Sequence, residues 1–161
     1  MKGLATLFEG AGCTGVSTYI QSGNVIVHAR ASVAKTLSAM IEAAILARYG
    51  LTVPVIVRSA AEMIAVPGKN PFLPRADPAL LYVGFLAGTP TRAQIASLDA
   101  GRSPPDELAV VGKELYLCLP NGAGRTKLTN AYFDRALGTV STMRNWRTVL
   151  KLAELTAGSA P

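Results

Sequence analysis

Alternation of apolar and polar residues is clearest at two places in the chain, and a glycine turn breaks each. The first is Val16-Ser17-Thr18-Tyr19-Ile20-Gln21, then Ser22-Gly23, then Asn24-Val25-Ile26-Val27-His28. Two β-rich runs around a two-residue turn predict a hairpin in which Gln21 faces Asn24, Tyr19 faces Ile26 and Ser17 faces His28. Val16, Thr18, Ile20, Val25 and Val27 then share a core face, and Ser17, Tyr19, Gln21, Asn24, Ile26 and His28 a mixed one. The second is Glu107–Val111, the turn Gly112-Lys113, and Glu114–Leu119. There Leu108, Val110, Leu115, Leu117 and Leu119 point to the core, and Ala109, Tyr116 and Cys118 point away.

Between and around the hairpins the period changes to that of a helix. Residues 3–11 read as a short helix stopped by Gly12. Ser32 caps a long one with Val33, Leu37, Met40, Ile41 and Ala44 at helical spacing, and Gly50 ends it. Val53–Val57 reads as a strand whose proline marks an edge or a start. Ser59 caps a short helix to about Val66. Leu80–Leu86 is a strand, and Pro90 opens a helix that Gly101 closes. After the second hairpin, Asn130 caps a helix stopped by Gly138, Thr139–Met143 reads as a strand, and a helix runs from about Asn145 to Leu155.

The order of elements repeats. The second half reads βαββαβα, and the first half reads αββαβα, the same string without its opening strand. The expected class is therefore α+β, two ferredoxin-like βαββαβ units in tandem plus a C-terminal helix. The expected boundaries are a first unit over 1–66, a linker over 67–78 with four prolines, and a second unit over 79–161. The first unit is expected to lack its opening, central strand.

Composition narrows the chemistry. The chain has 161 residues, half of them hydrophobic and 16% charged, so it suits a packed globular protein and not a disordered or fibrous one. Two cysteines and one histidine fall one ligand short of a structural zinc site and exclude a disulfide framework. No run approaches the ~18 apolar residues of a membrane span. Two free thiols without an export signal suit a reducing cytoplasm. No cofactor is expected.

The net charge is +6, and it is concentrated. Arg125, Lys127, Arg135, Arg144, Arg147 and Lys151 lie among residues 125–151 with one acid, Asp134. In a helix from Arg144 onward, Arg144, Arg147 and Lys151 share a face, and Trp146, Val149, Leu150 and Ala153 lie opposite, so Trp146 is expected to anchor the core. Gly122-Ala123-Gly124-Arg125-Thr126-Lys127 sits between a strand and a helix. It fails as a phosphate-binding Walker loop, because Thr126 precedes the lysine and Leu128 follows it. What remains is a glycine-containing loop with two cations entering a helix, an anion-attracting arrangement. Any histidine mechanism must use His28, and neither Cys13 nor Cys118 has a neighbour that would lower a thiol pKa. RNA-recognition sheets need central-strand aromatics that Asn24–Arg30 lacks. Tyr19 and Tyr116 lie on faces that are either open or buried between units.

Three segments, Thr18–Val25, Gly124–Asn130 and Thr142–Leu152, together with Val53–Ser59 and Lys69-Asn70-Pro71-Phe72, carry a resemblance. They resemble the bacterial family of domain of unknown function 1697 along essentially the whole chain. That resemblance implies a pair of ferredoxin-like subdomains and no particular reaction. Family members usually open with a strand and an arginine–glycine loop that this sequence does not contain, and Met1 falls where the first helix begins. Met143 and Arg147 stand where Thr and Asn are more usual.

The expected function is a binding protein with an anion-attracting surface built from Arg125, Lys127, Asn130, Arg144 and Asn145, with Gln21, Ser22 and Asn24 as secondary polar contacts. The partner is an anionic small molecule or nucleic acid, not a membrane. The alternatives are an enzyme acting on a phosphorylated small molecule, or a structural or assembly protein. No acid pair, histidine constellation or metal cluster supports the enzyme.

Overall fold

The computed structural model describes residues 2–21 and 23–158. Helices and two antiparallel sheets make an α+β architecture, divided into two compact units over residues 1–57 and 58–161.

The first unit holds α1 (Lys2–Gly10), β1 (Thr14–Tyr19), β2 (Asn24–His28), α2 (Ala31–Ala34) and α3 (Leu37–Tyr49). Its core is Phe8, Cys13, Leu37, Ile41 and Ile45, with Val16, Val25, Val27, Val55 and Val57 packed against it. The hairpin forms, but its register differs by two residues: Tyr19 pairs with Asn24, Thr18 with Val25 and Ser17 with Ile26. The cause is Ile20, which takes a left-handed φ of 49° and leaves the ladder, half exposed. A slip of two keeps each side chain on its face, so Val16, Val25 and Val27 still meet the core. A further irregularity between Thr14 and Ser17 sets His28 opposite Thr14 instead of Ser17. Gly15 permits this with φ 58°, and a Cβ there would stand 2.6 Å from the His28 ring.

Three expectations in this unit are corrected. The long helix is two helices, broken at Lys35-Thr36, where Thr36 adopts φ −113° and ψ 2°. Ser32 lies inside α2 and does not cap it; Arg30 holds that position without a side-chain bond. Residues 53–57 form no strand among the described residues. Pro54 has no N–H to offer a ladder, and the Val55 N–H goes to the Glu42 carboxylate at 2.8 Å. The end of α3 is as expected: Gly50 is left-handed and its N–H bonds Leu46 O.

The second unit is built on a four-stranded sheet of β3 (Leu81–Leu86), β4 (Glu107–Val111), β5 (Glu114–Cys118) and β6 (Ser141–Asn145). The order is β4-β5-β3-β6, antiparallel throughout. Around it lie α4 (Ala60–Ala65), α5 (Arg92–Ala96), α6 (Asn130–Leu137) and α7 (Trp146–Gly158). One face carries Leu86, Leu115 and Leu117 against Leu128, Phe133 and Leu137. The other carries Val83, Phe85 and Tyr116, all buried, and α7 packs on β3, β6 and α4. The Tyr116 hydroxyl donates to Val66 O at 2.9 Å, and burial pushes its pKa up. The proline-rich stretch is not bare: Asn70 and Phe72 are buried in it, and two short 3-10 turns sit at Pro67–Lys69 and Pro78–Leu80.

The second hairpin has the expected register, with Val111 opposite Glu114 around Gly112 at φ 61°. Four details differ. α5 ends at Ala96, well before Gly101. The N-cap of α6 is Thr129, whose hydroxyl accepts the Tyr132 N–H, so Asn130 is the first helical residue and not the cap. β6 extends to Asn145, so Arg144 is a strand residue and α7 begins at Trp146. Leu150 is exposed, and the buried face of α7 is Trp146, Thr148 and Val149.

Candidate anion site on the second unit

Two loops of the second unit, 97–106 and 119–129, are held together by hydrogen bonds. Gly122, at φ 79°, donates to Leu119 O, and the Arg125 N–H bonds Gly122 O at 3.2 Å, which folds the glycine loop into successive turns. Leu128 sinks into the core and anchors its far end. Ser103 makes the link between the loops. Its hydroxyl donates to Asp106 Oδ2 at 2.7 Å and accepts the Lys127 N–H at 3.0 Å. Thr126 Oγ1 lies 3.4 Å from the same hydroxyl and accepts the Leu128 N–H. Ser103 and Asp106 are both buried, so their mutual bonding satisfies groups that water cannot reach.

Arg102 adds a second fastening. Its Nε donates to Lys127 O at 3.0 Å, and its guanidinium lies 4.1 Å from the centroid of the Tyr132 ring. The Tyr132 hydroxyl in turn accepts the Asp99 N–H at 2.8 Å. Arg102, Arg125 and Lys127 are thus three exposed cations on two mutually bonded loops. None of the three makes an ion pair with a carboxylate among the described residues. The first loop also holds two acids: Asp106 is buried and bonded to Ser103, and Asp99 is exposed and accepts the Gly101 N–H at 2.9 Å, while Asp134 accepts from the Ser141 hydroxyl at 2.6 Å. Such an arrangement attracts a phosphate or carboxylate by charge and offers arginine forks to hold it.

The other expected contributors are dispersed. Asn130 Nδ2 donates to Ser141 O at 2.9 Å, tying the start of α6 to β6. Arg144 leaves β6 on the opposite sheet face: its neighbour Met143 packs with Leu115 and Leu117, the cluster that also receives Leu128. Its NH1 donates to Thr142 Oγ1 at 2.7 Å and Met143 O at 2.8 Å, and burial pushes its pKa down. Arg144 therefore projects from the sheet face opposite the one on which Leu128 packs. Asn145 Oδ1 accepts the Thr148 N–H at 2.9 Å, a cap for α7. In the first unit Gln21 is exposed in the turn, Asn24 is buried with Nδ2 donating to Tyr19 O, and Ser22 lies outside the described residues.

Arg102 and the Ser103–Asp106 pair had no sequence signal beyond their polarity, because what matters is their contact with a segment about 24 residues later. The sulfur and imidazole groups are elsewhere. Cys13 and Cys118 are free and buried, and burial raises both thiol pKa values, which disfavours the thiolate. No group of three metal-binding side chains occurs among the described residues. No helix among the described residues is long and apolar enough to cross a membrane.

No curated protein and no solved structure matches the chain. A family model does, the one described as Protein of unknown function (DUF1697), over residues 1–116. That match takes in the first hairpin, the turn after Phe72 and the second hairpin up to Tyr116, and by it the chain belongs to this family.

Proposed function

We propose that the protein binds a phosphate-bearing ligand through Arg102, Arg125 and Lys127 of the second unit. The observation that carries this is the bonding of two loops through Ser103 and Arg102, loops that carry three exposed cations with no carboxylate ion-paired to them among the described residues. Pre-bonded loops lose less conformational freedom when a ligand orders them than free ones do. Asn130, Arg144 and Asn145 are engaged in holding α6, β6 and α7 and fall outside this reading.

Thermal shift supplies the test. Sulfate or phosphate is expected to raise the melting temperature more than chloride at matched ionic strength. Arg125→Ala and Lys127→Ala should each remove most of that gain, and the double variant should add little, because one shared ligand couples them. With an oligonucleotide as ligand, affinity should fall steeply with salt, and each substitution should lower the slope by roughly one unit. No preference for phosphate over chloride, together with no oligonucleotide binding, would sink the proposal.

We also read the second unit as ferredoxin-like: its βαββαβ order and its sheet order, with the first strand inside and the hairpin at one edge, support that reading. The first unit has the corresponding hairpin and following helix, which supports reading it as a related unit. Two buried free thiols fit a reducing compartment, and we place the protein in the cytoplasm on that chemistry.

A further inference from the structure

Arg102 brings more than charge to the two bonded loops of the second unit. Its guanidinium lies 4.1 Å from the Tyr132 ring centroid and its Nε donates to Lys127 O, so one side and one edge are fixed. Tyr132 is itself held: its ring packs against the core that contains Phe133, and its hydroxyl accepts the Asp99 N–H. Arg102 is nonetheless exposed, so the side turned away from Tyr132 is open to solvent. Its NH1 and NH2 make no hydrogen bond and no ion pair among the described residues. Arg58 and Arg75 also lie over rings, but their nitrogens are taken by Glu114 and Glu107. Arg102 is thus a planar cation, pinned in place, with an open side and N–H groups left to give.

A held arginine plane is a platform for a nucleobase: bases stack on guanidinium planes as they do on aromatic rings, and the cation adds to the attraction. Inorganic phosphate uses none of that side. The backbone of Lys127 lies against Arg102, so the loop that carries Arg125 and Lys127 adjoins the platform. The approach along that loop is clear, because Gly122-Ala123-Gly124 has no long side chain and a Cβ on either glycine would meet nothing within 4 Å. Resting on the anion reading of these loops, we propose that the ligand is a nucleoside phosphate, free or within a single strand, with its base stacked on Arg102 and its phosphate held by Arg125 and Lys127. Stacking reads the presence of a base and not its hydrogen-bonding edge, so recognition tolerates a change of base.

Calorimetric titration of the full chain with inorganic phosphate, ribose 5-phosphate and AMP tests it. AMP should bind about 5- to 150-fold more tightly than ribose 5-phosphate, the gain that one stacked base brings. Arg102→Lys keeps the charge and removes the plane, so the ratio of the two affinities should fall to about one. A variant that only loosened the loops would weaken both ligands alike and leave the ratio unchanged. As a second measurement, on the unaltered protein, saturation-transfer NMR should place the strongest transfer on the adenine ring protons and weaker transfer on those of the ribose. A short oligoadenylate distinguishes the sources. Affinity well above that of AMP and falling steeply with salt assigns the platform to a strand, and affinity equal to that of AMP assigns it to the free nucleotide. Equal binding of AMP and ribose 5-phosphate by the wild type would overturn the stacking and leave the anion reading standing, whereas binding of none of the three would overturn both. A preference for AMP that survives Arg102→Lys would put the base elsewhere and overturn the proposal as well.

Discussion

Arg58 stands at the entry to the second unit with its side chain almost entirely buried, and every direction it faces is filled. Nε lies 2.9 Å from Glu114 Oε1, NH2 donates to Leu86 O and Lys113 O, and the guanidinium lies 5.6 Å from the Phe85 ring centroid. Removing one partner of a buried pair leaves the other charge uncompensated, so Arg58→Ala should destabilise by ~3–5 kcal/mol in urea titration. A loss below ~1 kcal/mol would show that Glu114 finds water when the arginine goes. Lys113 and Glu62, 2.7 Å apart, make the contrasting case because both are substantially exposed. The Lys113 ammonium and the Ser59 N–H hold the Glu62 carboxyl at about 2, below its ordinary 4.5. Its folded pKa is depressed, so this stabilisation is present above about 4.5 and is lost as pH falls towards about 2. Solvent screening limits it to less than ~1 kcal/mol. Glu62→Gln keeps the capping box around Ser59 but removes the charge. Melting temperatures of the variant and wild type should therefore differ slightly near neutrality and converge by pH 2. A difference that grows in acid would mean the carboxyl is not the titrating group.

At the scale of elements, what the sequence pattern reveals depends on whether the deciding interaction is local. The hairpin at Gly112 was legible in full, since a two-residue turn with a left-handed glycine fixes the register by itself. The hairpin at Gly23 was legible only to its faces, because the left-handed residue is Ile20, a β-branched side chain that nothing local marks for that conformation. The end of β6 was hidden for another reason: Arg144 pairs with Val83, and a long-range ladder overrides the helical spacing of Arg144, Arg147 and Lys151. The apolar face of α7 was nonetheless readable at its first turn. Trp146 is 3% exposed and Val149 fully buried. Trp146→Ala should cost ~3–5 kcal/mol, whereas Arg147→Ala, at an exposed position, should stay within ~0.5 kcal/mol. Similar losses in chemical denaturation would mean that the helix packs through a different face.

For the whole molecule, charge and the second unit's order of elements were visible in the sequence, whereas the first unit's full order and contacts across distance were not. The basic run from Arg125 drew attention to the loop over 119–129, yet Ser103, which bonds to that loop, is joined to it only by folding. The division into two units has a thermodynamic consequence. Each has a separate cluster, one around Ile41 and one around Phe133, and both residues are fully buried. The first unit is small and rests on a two-stranded sheet, and burial per residue falls steeply as domains shrink. Calorimetry of the full chain should therefore show two transitions, the lower one belonging to residues 1–57. Ile41→Ala should lower the first by an amount corresponding to ~2–5 kcal/mol and leave the second nearly in place. Phe133→Ala should do the reverse, because the two residues belong to different hydrophobic clusters and distant substitutions act independently. Phosphate, if it binds at Arg102, Arg125 and Lys127, should raise only the upper transition. A single transition, shifted alike by both substitutions, would show that the two cores melt as one cooperative structure.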